Sequence, residues 1–301
     1  MSSSADAGIA TLAPRTTWRV VLRHRWPLRL MHWINLLCML ALLGSGLSIF
    51  NAHPALYWGE ASDFGDPAFA ARSEAVDGAM RGITTVGDRR FDTSGVLGRS
   101  PSPLHGRMEN RAFPAWATIP GPKSLAAGRR WHFFFAWAWV INGMCYLLWS
   151  LASRHLRRDL AMQRRDWRGI GRSIFDHLRF RHPVGDEAAR YNPLQKLAYL
   201  GVILVLAPLA LLTGLAMSPQ LDSLLGGFVQ LVGGRQSART LHFIVMVLFV
   251  LFTLVHVLMV IYAGPVNELR SMITGSFKLQ NPPAHISGRA ASEHVPEHRD
   301  E

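Results

Sequence analysis

His242 and His256 stand fourteen residues apart in one apolar run, 239–262, which reads RTLHFIVMVLFVLFTLVHVLMVIY. In an α-helix that separation brings the second side chain to within about 40° of the first and about 21 Å further along the axis. The two imidazoles therefore share a face, one toward each end of a segment long enough to cross a bilayer, for which about 20 apolar residues suffice. Ionisable groups inside a span are costly and usually functional. Two further histidines, His32 and His132, also lie in apolar segments. Bis-histidine ligation needs two imidazoles at one depth on facing helices, and what such a pair offers is axial coordination of a haem iron.

The elements that must position these residues are four apolar segments, 28–50, 129–151, 194–217 and 239–262. They predict an all-α integral membrane protein, a four-transmembrane-helix bundle with a long outer loop between helices 1 and 2. The first segment begins too deep in the chain, and is too long, for a cleaved signal peptide, and no small-residue cleavage site follows it. Mean hydropathy is only slightly positive, so the spans alternate with substantial polar connections. The expected organisation is an N-terminal segment 1–27, a helical domain 28–262 with outer loop 51–128 and inner loop 154–193, and a tail 263–301.

Charge placement orients the helices. Residues before 28 hold four Arg against one Asp, and 154–192 hold ten Arg against five acids. Residues 51–128 balance at eight basic and eight acidic, and 218–238 hold one of each. Cytoplasmic connections carry the excess of Lys and Arg, so both termini and 154–193 are expected inside and 51–128 outside. The formal charge of +12 flanks apolar spans, which argues for a membrane surface rather than nucleic acid as its partner. Under this topology the histidines sort by depth: His132 with His242 at the outer end, His32 with His256 at the inner end. Both pairs are expected to hold iron, which implies two haems. No Cys-x-x-Cys-His occurs, so covalent c-type attachment is excluded by motif, and Cys38 and Cys145 read as small apolar helix residues.

Other residues fall into place around this pattern. Arg129, Arg130 and Arg239 flank the outer pair, and Arg25 and Arg29 the inner pair, where guanidinium groups could hold haem propionates. Gly44, Gly46, Gly143 and Gly214 could admit a porphyrin to the helix backbone. The first and third spans echo each other in LALLGSGL and LALLTGL. The second and fourth both open R-x-x-H-F. The third span has no histidine and is expected to serve as packing. The stretch DWRGIGRSIFDHLRFR reads as an amphipathic surface helix with its arginines near anionic headgroups. NELRSMITG reads as a short helix ending at Gly275, and the residues from Asn281 on as a disordered tail. The outer loop is long enough to carry structure of its own.

The chain resembles the bacterial dihaem cytochrome b561 and nickel–iron hydrogenase-type cytochrome b subunits, thiosulfate reductase cytochrome b among them. The resemblance is carried by LRLMHWINLLCMLALLGSGLSIFNAHPALYWG, GRRWHFFFAWAWVINGMCYL, YNPLQKLAYLGVILVLAPLALLTGLAMSP and RTLHFIVMVLFVLFTLVHVLMVIYAG. It implies two haem b groups on His32, His132, His242 and His256. It also implies a quinone site at the inner end, for which Asn35, Tyr191, Asn192, Gln195 and Lys196 are candidates, and a respiratory electron-transfer role beside a periplasmic molybdopterin oxidoreductase subunit. His53, Tyr57, Trp58 and Trp116 would form the docking surface, or else the loop's own small core. Two rival readings are a stand-alone quinone-reducing oxidoreductase with a diffusible donor, which would not need so long a loop, and a metal-ion transporter, for which the spans lack Asp and Glu.

Overall fold

The computed structural model describes residues 18–102, 106–178, 192–218 and 222–280. Strand β1 (Trp18–Leu22) leads into helix α1 (Trp26–Phe50). The long loop then carries strands β2 (Ala55–Leu56), β3 (Phe69–Val76), β4 (Ala79–Val86), β5 (Arg89–Asp92), β6 (Arg99–Pro101) and β7 (Met108–Asn110). Helices α2 (Leu125–Ala152), α3 (Arg164–Leu178), α4 (Pro193–Gly201), α5 (Ala207–Ala216), α6 (Asp222–Leu231), α7 (Arg235–Tyr262) and α8 (Pro265–Thr274) follow, and the described chain ends in β8 (Ser276–Gln280). Among the described residues four helices are long and apolar enough to span a membrane: α1, α2, the continuous Pro193–Ala216, and α7. They coincide with the four expected segments to within a turn.

Helix starts follow the local sequence. Ser124 accepts the Ala127 N–H at the start of α2. At α4, Asn192 accepts from Leu194 N while the Gln195 side chain accepts from Asn192 N, with Pro193 in the first turn. This reciprocal cap satisfies two of the four N–H groups a helix start leaves open. The third span is interrupted by a π-helical turn, Val202–Leu206, just before Pro208. Proline has no N–H to give the carbonyl four residues back, and a widened turn is one way a helix accommodates such an interruption.

α1 packs along α2, and α5 along α7. The expected amphipathic helix is present as α3, with Trp167, Ile174 and Phe175 exposed. Asp166 on α3 accepts from the buried Lys196 on α4 at 2.9 Å, which ties the surface helix to the third span.

The two ends of the bundle are closed differently. At the terminal end β1 pairs antiparallel with β8, from Trp18↔Gln280 to Leu22↔Ser276. The Arg23 guanidinium donates to both carboxylate oxygens of Glu268 on α8 at 2.9 Å and lies 4.4 Å over the Phe277 ring. α8 stops at Gly275, whose positive φ of 88° is the left-handed C-cap the sequence implied. Residues 281–301 lie outside the described residues. Residues 18–22, before α1, and 276–280, after α8, thus join in one clasp.

At the other end the long loop is a β-domain. β2-β3-β4-β5 form an antiparallel meander and β6-β7 a hairpin. Asp77-Gly78 makes the two-residue turn between β3 and β4, with both residues at positive φ, the conformation for which Asp-Gly is favoured. Leu56, Ala71 and Ala112 pack against Phe50, the last residue of α1, and against Phe243 of α7. The domain is also fastened by hydrogen bonds. The Gly59 carbonyl accepts the N–H groups of Gln236 and Ser237, the Gly59 N–H donates to Ser237 Oγ at 2.8 Å, and Thr240 Oγ1 donates to the Tyr57 carbonyl at 2.6 Å. The first turn of α7 is therefore capped by the loop rather than by its own side chains.

Candidate functional site: two histidine pairs

The four span histidines come together as two pairs. At the loop end His132 on α2 faces His242 on α7, with ring centroids 6.3 Å apart and planes at 71°. At the terminal end His32 on α1 faces His256 on α7, also at 6.3 Å, with planes at 57°. The depth pairing expected from topology is the one the fold makes. Two metal–imidazole bonds of about 2 Å each, plus the distance from each nitrogen to its ring centre, come to about 6 Å. Both pairs therefore have the spacing of opposed axial ligands on one iron. Among the described residues no group of three or more His, Cys, Asp or Glu side chains converges. Each pair thus offers two ligands, which suits an iron whose remaining positions a porphyrin fills.

The loop-end pair is held by the first and third spans. Ser45 Oγ of α1 lies 3.1 Å from His132 Nδ1, and Thr213 Oγ1 of α5 lies 3.0 Å from His242 Nδ1. The next residue in each helix is glycine. A Cβ on Gly46 would stand 3.5 Å from His132 Cε1, and one on Gly214 would stand 3.3 Å from His242 Cε1. The third span, expected only to pack, thus holds one of the paired histidines, and the echo between LALLGSGL and LALLTGL is a shared Ser/Thr-Gly cradle for an imidazole. Gly44 has another role: it lies under Ile119 of the loop. Gly143 has no neighbour within 4 Å of an added Cβ among the described residues.

The terminal-end pair has a different setting. Phe252 stacks on His256 with planes 11° apart, and Trp33 meets His32 edge-on. His32 Nδ1 is buried without a hydrogen-bond partner among the described residues. The neighbouring Met31 carbonyl accepts from the buried Asn142 Nδ2 of α2 at 3.0 Å, and Trp33 Nε1 donates to the Met272 carbonyl of α8 at 3.1 Å. Asn142, Ser45 and Thr213 were not singled out in the sequence. The signal available was a polar residue within an apolar helix.

The other expected site residues fall as follows. Arg239 Nη2 donates to the His53 carbonyl at 2.6 Å, and its guanidinium lies 5.7 Å from the centre of the Phe50 ring. Arg129 lies 5.7 Å over Phe133; Arg129, Arg130 and Arg25 are exposed. Arg29 approaches Gly275 and keeps a buried Nε with no partner. Asn35 is exposed on α1. Asn192, Gln195 and Lys196 already have partners in the α4 cap and the Asp166 ion pair. Tyr191 lies outside the described residues.

The loop aromatics divide. Trp58 and Trp116 are exposed, but Tyr57 is 1% exposed and its hydroxyl accepts from Arg72. Tyr57, which follows β2, is therefore a core residue of the loop domain, the second of the two roles open to it. His53 packs between Tyr57 and Phe64. Burial, with Arg239 and Arg72 nearby, holds its imidazole below the usual histidine range. At the terminal end burial lowers His24 to about 4, helped by Arg23, His32, His155 and Arg29.

A helical membrane bundle with two stacked bis-histidine pairs defines a class, the membrane-embedded b-type cytochromes. Residues 23–275 match the prokaryotic cytochrome b561 family, and the chain belongs to it. It is a multi-pass membrane protein of a family that carries b-type haem. The chain is also 33% identical over 141 residues, 45% of its own length, to a protein of Azospira oryzae provisionally described as the methionine-sulfoxide reductase subunit YedZ1. That match spans 66% of the relative, just under two thirds. No solved structure matches the chain.

Proposed function

We propose that this protein is a dihaem cytochrome that carries electrons across the bacterial inner membrane, between the quinone pool and a redox enzyme on the outer side. The observation that carries the proposal is the repetition of one geometry, two imidazole pairs at 6.3 Å, at two depths along α7. His132 and His242 would hold one haem and His32 and His256 the other, each haem supplying a one-electron ferric/ferrous couple when bound. Arg129, Arg130 and Arg239 would be the propionate partners at the loop end, and Arg29 at the terminal end.

The remaining parts of the proposal rest on placement. The arginine-rich 154–193 connection and both termini are on the cytoplasmic side, and the balanced β-domain is outside. Quinone would react beside the terminal-end pair, with Asn35, Tyr191, Asn192, Gln195 and Lys196 as its candidate polar contacts. The partner would be a periplasmic oxidoreductase, of the molybdopterin class, docked on the β-domain. The relative's description as a reductase subunit supports a catalytic partner. The protein itself serves as the electron-transfer subunit of such a complex.

Spectroscopy of the purified chain tests this. A pyridine haemochrome assay should give two non-covalent haem b per polypeptide, and a quinol should reduce both. One haem or none would overturn the dihaem reading.

A further inference from the structure

The two hydroxyls beside the loop-end histidines decide more than packing. Ser45 Oγ lies 2.6 Å from the Ala41 carbonyl, and Thr213 Oγ1 lies 2.6 Å from the Leu209 carbonyl. A hydroxyl has one proton, and a carbonyl four residues back can only accept it. Each oxygen therefore presents a lone pair to its histidine. Facing a lone pair, Nδ1 carries the proton in both imidazoles, which leaves Nε2 as the bare nitrogen. At the terminal end, by contrast, His32 Nδ1 has no hydrogen-bond partner among the described residues.

We infer that Ser45 and Thr213 are positioning residues that fix the tautomer of His132 and His242 and make the loop-end haem site electronically different from the terminal-end one. The inference rests on the dihaem reading. A ligand imidazole whose N–H is engaged by an acceptor is a stronger donor to the metal. A stronger donor favours the ferric state, so these contacts lower the reduction potential of the loop-end site below what the same ligands would give unaided. The first and third spans supply the same device because each places Ser/Thr-Gly against the histidine of the helix packed on it: the hydroxyl reaches Nδ1, and the glycine leaves room for the ring.

The test uses the full chain with both haems. Potentiometric titration gives two midpoints, and the loop-end one is that missing from His132→Ala. Ser45→Ala, Thr213→Val and the double variant should raise that midpoint alone and move the corresponding low-spin ferric EPR signal. Ser45→Thr and Thr213→Ser keep the hydroxyl and should leave both midpoints in place. A variant that loses only the loop-end haem, while its hydroxyl-keeping counterpart retains it, also supports the assignment. Midpoints that stay put, that shift together, or that shift equally in the hydroxyl-keeping variants would overturn it. If the parent protein binds fewer than two haems, the proposed function fails before any variant is made, so the two failures are distinguishable.

Discussion

Ile119 of the loop domain lies against Gly44 of α1, one residue from the Ser45 that holds His132. Its N–H donates to the Gly44 carbonyl at 3.0 Å, and a Cβ on Gly44 would fall 2.7 Å from Ile119 Cγ1. The loop is thus part of the wall beside the loop-end histidine pair, and changes in it should reach that site. Gly44→Ala forces Ile119 aside, an overpacking that costs about 1–3 kcal/mol. Thermal unfolding followed at the Soret band should show the loss, and Ile119→Ala in the same chain should recover most of it.

The two histidine pairs should be separable by mutation. His132→Ala is expected to remove the loop-end haem and His32→Ala the terminal-end one, each leaving the other midpoint in a redox titration. Both variants losing the same midpoint would refute the pairing. Yield should fall in each case, because truncating a large buried group leaves a cavity.

Within the loop domain, core and surface aromatics should behave oppositely. Tyr57→Ala removes a fully buried ring and the acceptor for Arg72, at a cost of about 3–5 kcal/mol. It should perturb the loop-end haem spectrum, because the Tyr57 carbonyl holds Thr240, two residues from His242. Trp58→Ala and Trp116→Ala should leave stability and spectrum unchanged. If the β-domain is the docking surface, they should weaken co-purification of a redox partner, since exposed tryptophans are favoured anchors.

The clasp at the terminal end should loosen in acid. His24 is held neutral to about 4 by burial and by neighbouring Arg23, Arg29, His32 and His155, against about 6.5 in an unfolded chain. With the folded value depressed, the unfolded state binds the extra proton between those two values. The contribution is fully present above pH 6.5 and is lost as pH falls toward 4, about 3 kcal/mol at most. Stability measured between pH 7 and 4 should decline less in His24→Gln than in the parent.

A single polypeptide strand reveals some of this molecule through local rules alone. Span length, the fourteen-residue spacing of His242 and His256, the Asn192 cap and the Gly275 stop depend on helix geometry and on residues a turn apart, so they are readable without a fold. The pairing of His132 with His242 was readable too, because a membrane reduces position to depth and even spans return the chain to the same side. The Asp77-Gly78 hairpin was a local signal that composition obscured. What only the tertiary structure decided depends on residues brought together from far apart: Ser45 onto His132, Thr213 onto His242, Gly59 onto the start of α7, β1 onto β8, and Tyr57 turned inward. Helical and strand periodicity tell which residues share a face. They do not tell which neighbour that face meets, and at these positions the neighbour sets a hydroxyl's direction and an imidazole's tautomer.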